Sequence, residues 1–109
     1  MPDASPIAIA LNAAERAPDA ETAATLMRHG SMRLLYYAPK GSDVQKPHRQ
    51  DELYIVANGR GTFVCGGRSA EFSTGDVLFA AAGTEHHFED LSADFGTWVV
   101  FYGPEGGEH

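Results

Sequence analysis

Residues 53–72 read LYIVANGRGTFVCGGRSAEF, and the reading of this stretch decides the fold. Three runs rich in β-branched and aromatic residues are separated by Asn58-Gly59 and Gly66-Gly67. Both dipeptides accept the positive φ angles of tight turns, so the reading is strand, turn, strand, turn, strand. Further along, Ser73-Thr74-Gly75-Asp76 turns the chain into VLFAAA. Gly83 breaks that run, and HHFED starts another. Gly96–Tyr102 reads as a last strand, ended by Gly103-Pro104.

On the N-terminal side, Thr25–Arg28 and Met32–Ala38 read as strands joined at His29-Gly30. The alternative is a short helix capped by Asp19 and ending at Gly30. Tyr36 and Tyr37 favour the hairpin. Residues 1–20 form an arm with little regular structure, with at most one short strand around Ile7–Leu11. Short strands with turn signals at regular spacing point to an all-β sandwich or barrel. The expected organisation is an arm over 1–20, a β-barrel over 21–104 and a flexible tail over 105–109.

A chain of 109 residues is long enough for one domain. Eight basic residues against fifteen acidic ones leave a net charge of -7, which argues against a nucleic-acid partner. The single cysteine, Cys65, excludes an internal disulfide and reads as a small apolar core residue. MPDASPIAIALNAAERAP has neither a basic n-region nor a long apolar stretch, so no membrane partner and a cytoplasmic location are expected.

Side chains able to bind a metal concentrate in KPHRQDE (46–52) and GTEHHFED (83–90). On one straight strand, His48 and Glu52 would stand about 13 Å apart and could not share an ion. A bend at Arg49-Gln50-Asp51 removes the difficulty, with His48 ending one strand and Glu52 starting the next. His86 and His87 point to opposite faces of a strand, so one of them faces inward. Phe88 shares the face of His86, and Tyr54 shares that of Glu52. The other aromatics read as barrel filling.

These residues resemble the two motifs of the cupin superfamily, written G-x5-H-x-H-x(3,4)-E-x6-G and G-x5-P-x-G-x2-H-x3-N. Gly75, Gly83 and His86 match the second, with Ala81 in place of its proline and Asp90 in place of its asparagine. His48, Glu52 and Gly59 match the first, and Lys46 stands where its first histidine falls. The resemblance spans about residues 32–103, and within the superfamily the chain looks like a group of small single-domain cupins of uncertain activity.

It implies a cupin-type double-stranded β-helix (jelly-roll) barrel with a short irregular N-terminal arm. It also implies one divalent metal ion (Fe, Mn, Ni or Zn) held by His48, Glu52 and His86, a 2-His-1-carboxylate set. Pocket candidates are Lys46, Tyr54 and Phe88, with the pocket lined by aromatic and aliphatic side chains and the metal at its floor. Such a pocket takes a small organic molecule. Dioxygenase, isomerase and lyase chemistry all occur on this fold, and no catalytic base is identified. The alternatives are a non-catalytic binding or sensing module, a structural module stapled by its metal, or a metal-free pocket with Lys46 in place of a ligand. A homodimer is expected, formed through a sheet edge or face.

Overall fold

The computed structural model describes residues 24–41, 43 and 47–108. The arm at 1–20, Asp19, Lys46 and His109 lie outside the described residues. Among the described residues all regular structure is strand: β1 (Ala24–His29), β2 (Met32–Tyr37), β3 (Asp51–Asn58), β4 (Arg60–Cys65), β5 (Arg68–Ser73), β6 (Val77–Ala80), β7 (His86–Glu89) and β8 (Gly96–Tyr102).

The strands form a five-stranded sheet in the order β1-β2-β8-β3-β6 and a three-stranded sheet in the order β5-β4-β7, with antiparallel pairing throughout. The hairpin reading of 25–38 holds, with the turn one residue later than expected, at Gly30-Ser31 between the paired His29 and Met32. Gly66-Gly67 joins β4 to β5 with φ of 60° and 79°, as a tight hairpin requires.

Asn58-Gly59 is different. The sequence suggests a hairpin there, but β3 and β4 do not pair. β3 lies between β8 and β6 in the large sheet, whereas β4 lies between β5 and β7 in the small one. The chain uses Gly59, at φ 92°, to cross from one sheet to the other. A Cβ at Gly59 would stand 2.7 Å from the Phe95 Cα and 2.6 Å from the Ser92 Oγ. The crossing is therefore packed tightly under the β7–β8 connection.

The core lies between the sheets. Tyr54, Val56, Phe63, Phe72, Phe88, Phe95, Val99 and Phe101 are all buried within it. Their rings meet edge-on or tilted, as Tyr54 and Phe88 do at 4.9 Å between centroids. The outer face of the large sheet is apolar as well. Register aligns Leu34, Val100, Leu53 and Phe79 in one row and Tyr36, Trp98, Ile55 and Val77 in the next. Val77, Phe79 and Ile55 are exposed.

The last residues, expected as a flexible tail, fold back over the start of β3. The Gly106 amide donates to the Arg49 carbonyl at 2.7 Å, and the Glu108 amide donates to Asp51 Oδ2 at 2.9 Å. Composition alone marks GPEGGEH as loop. The fixed point is the buried Asp51 carboxylate, which also accepts the Ala82 amide at 2.9 Å.

Two glycines with positive φ test the crossing. Gly67→Ala meets open space and carries only backbone strain, so a loss of about 1 kcal/mol is expected. Gly59→Ala adds a backbone clash, so urea denaturation should show a loss of about 3 kcal/mol or more.

Candidate metal centre

The bend expected between His48 and Glu52 is present. His48 lies in the loop before β3, Arg49 and Gln50 form the bend, and Glu52 is the second residue of β3. His48 does not end a strand. Its backbone is held instead by the Gly83 amide, which donates to the His48 carbonyl at 2.8 Å. This bond ties the first motif to the loop that leads into β7, where His86 is the first residue.

His48, Glu52 and His86 thereby converge, each offering a ligand atom within 4.8 Å of the others. Glu52 Oε1 is 3.0 Å from His86 Nε2 and 3.8 Å from His48 Nε2. Adjacent ligands on an ion with bonds of about 2.1 Å stand roughly 3.0–3.4 Å apart, so the set needs only a small shift of the loop-borne His48.

The polar partners of this cluster matter more than its distances. His86 Nδ1 lies 2.9 Å from the Thr84 carbonyl, which can only accept, so Nδ1 carries the proton. In the neutral ring, Nε2 then presents a lone pair to Glu52 Oε1. Both atoms are buried, and apart from each other neither has a hydrogen-bond partner. Two facing acceptors at this distance need a cation between them, a proton or a metal ion. Backbone orientation of a ligand histidine through its other nitrogen is the usual support for a metal site.

The titration behaviour agrees. Burial works to lower the His86 pKa, but the hydrogen bonds that the protonated ring donates to Glu52 and to the Thr84 carbonyl, with the nearby negative charge of Glu52 and Asp43, outweigh it and raise the value. The His48 pKa is lowered, first by burial, with His86 and Arg33 adding to this against the pull of Glu52. The shift favours the neutral imidazole at His48, the form that binds metals. Cys65 is directly opposite His86 in the β4–β7 register. Burial and the charge of Glu52 push its thiol pKa up.

Tyr54 and Phe88 are fully buried beneath the cluster, with the Tyr54 ring 6.2 Å from that of His86. They support the ligands from the core side and do not line the recesses beside His48. Those recesses have volumes of about 670 Å³ and 320 Å³. The larger is walled by polar side chains, among them Arg28, Arg33, Gln50 and Arg49. The expected aromatic and aliphatic lining is not found there, because the aromatic side chains of the inner face are used in the core. Asp90, in the asparagine position of the second motif, has φ 53°, a conformation that asparagine and aspartate tolerate best among residues with a side chain.

The model of the cupin domain, Cupin_2, matches residues 33–102. The chain belongs to this cupin family. Among its relatives, the Uncharacterized protein SCO3923 of Streptomyces coelicolor is 36% identical over 94 residues, covering 84% of this cupin and 90% of that protein. A solved structure of unknown function from Rhizobium leguminosarum bv. viciae 3841 has a TM-score of 0.74 at 22% identity, covering 94% of this chain and 99% of the other. The structure of FeII HppE in complex with substrate has a TM-score of 0.62 at 19% identity, covering 73% of this chain and 52% of the other. This cupin spans about half the length of HppE. Both structural likenesses show the fold.

A proton and a metal ion at this site would occupy the same gap between Glu52 and His86. In the metal-free protein, the raised His86 pKa makes the proton stabilising below the ordinary imidazole value, and this contribution is lost as pH rises through the raised value. A metal ion bound to Nε2 would displace that proton. Zinc affinity measured by calorimetry should therefore fall by about tenfold per pH unit as pH drops below the His86 pKa. An affinity independent of pH across that range would contradict the shared position.

Proposed function

We propose that this cupin binds one divalent metal ion through His48, Glu52 and His86 and acts on, or binds, a small organic molecule at the adjoining recess. The observation that supports this is the buried pair of Glu52 Oε1 and His86 Nε2, 3.0 Å apart and with no hydrogen-bond partner beyond each other, with the imidazole tautomer set by the Thr84 carbonyl. Nitrogen and carboxylate donors of this kind suit Fe, Mn, Ni or Zn. Bound there, such an ion supplies Lewis acidity toward an oxygen-bearing ligand and, if it is iron, redox chemistry.

The chain's own residues have distinct parts in this reading. Thr84 holds the ring of His86, Gly83 holds the backbone of His48, and the ring layer of Tyr54, Phe63 and Phe88 closes the core side against water. His48, half-exposed, is the ligand that faces the recess.

Elemental analysis of protein grown in metal-rich medium should find about one equivalent of metal per chain. His86→Ala should remove it while far-UV circular dichroism stays β-type. Metal-free wild-type protein that also takes up none on titration would contradict the reading.

We propose a second copy of the chain as the partner of the outer face of the large sheet. At a net charge of -7 two copies repel. The two apolar rows across β2, β8, β3 and β6 hold no charged residue, and burying them offsets that repulsion. Light scattering should give a dimer for the wild type and a folded monomer for Phe79→Glu. A wild-type monomer at micromolar concentration would overturn the assignment.

A further inference from the structure

Register on the inner face of the large sheet aligns Arg28, Arg33, Phe101, Glu52 and Ala80 in one row, running from β1 through β2, β8 and β3 to β6. The adjacent inner row is Leu35, Val99, Tyr54 and Leu78, which belongs to the core. The two arginines therefore stand level with the Glu52 carboxylate, at the polar end of the barrel. Strands lie about 4.8 Å apart, so the Arg33 and Glu52 backbones are separated by about 10 Å across β8. The Arg33 guanidinium sits 4.4 Å over the Phe101 ring, and the His48 ring meets that same phenylalanine at 4.8 Å.

Arg28 and Arg33 are directly opposed across β1 and β2, and like charges in that position repel. An anion at this level would relieve the repulsion between the two guanidinium groups. Among the described residues, no carboxylate oxygen lies within 4.0 Å of either guanidinium. Arg49, on the same rim, is paired with Glu105 at 3.6 Å. In a chain with fifteen acidic residues and eight basic ones, partners for two arginines are not scarce. Both line the recess of about 670 Å³ that His48 also faces.

We propose that this recess binds a small organic molecule by an anionic oxygen group, carboxylate or phosphate, held by Arg33 with Arg28, and directs the rest of the molecule toward His48. A guanidinium fork matches such a group with two parallel hydrogen bonds, and the stacking on Phe101 orients the Arg33 fork in advance. The direction toward a metal rests on the reading under Proposed function; the anion site itself does not.

Calorimetric titration of the zinc-loaded protein with malonate, inorganic phosphate and the neutral isostere malonamide tests it. Malonate or phosphate should bind and malonamide should not. Arg33→Gln should weaken anion binding by about tenfold or more, with zinc stoichiometry unchanged, and Arg33→Lys should restore only part of it. The tighter of malonate and phosphate identifies the anionic group. Equal binding of malonate and malonamide, undiminished binding by Arg33→Gln, or no anion binding at all would overturn the proposal. A chelator-treated arm separates the two readings. Arg33-dependent malonate binding in protein that takes up no zinc contradicts only the metal reading, whereas zinc uptake without anion binding contradicts only the anion site.

Discussion

A carboxylate oxygen and an imidazole nitrogen, both sealed from solvent, face each other at 3.0 Å between two sheets whose interior is otherwise packed with aromatic rings. Burying such a pair is costly unless a cation sits between them. Much of the surrounding structure serves to hold that arrangement. The Thr84 carbonyl sets the tautomer of His86, and Gly83 ties the backbone of His48 to the same loop. Asp51 then anchors both that loop and the C-terminal residues beside Glu52. Two segments distant in sequence are joined by backbone hydrogen bonds, and the ligand side chains follow from where those backbones lie.

The inner face of the large sheet is graded. One row is apolar and fills the core. The next carries Arg28, Arg33, Phe101 and Glu52, and opens toward the polar recess. In antiparallel sheet, one residue of register separates packing from chemistry, because alternate side chains change face. The pairing of β8 with both β2 and β3 thus fixes which arginines share a level with the ligands.

The strands were legible in the sequence because their signals are local, whereas the trio His48, Glu52 and His86 came from the resemblance to the two cupin motifs. Gly-Gly at 66–67 marks a turn wherever it stands, and the spacing of His48 from Glu52 required a bend that Arg49 and Gln50 supply. Asn58-Gly59 misled for the same reason. A local signal for positive φ does not say whether the strands on either side pair or part, and β4 finds its partners in β5 and β7. Arg33 was not read as a site residue. Its alternation with Leu35 and Tyr37 shows which residues share a face, but only the long-range pairing with β8 puts that face beside Glu52. The ordered C-terminal segment was also out of reach, since its anchor is a carboxylate more than fifty residues earlier in the chain.

On the proposed reading, the gap between Glu52 and His86 holds a cation. Long-range proton–nitrogen NMR of the imidazoles addresses it directly, with His29 and His87 as internal controls. On adding zinc to chelator-treated protein, the Nε2 signals of His48 and His86 should shift to an end point of about one equivalent, His86 should keep its Nδ1 proton, and the controls should stay in place. Shifts at His29 or His87 with His86 unmoved would contradict the account.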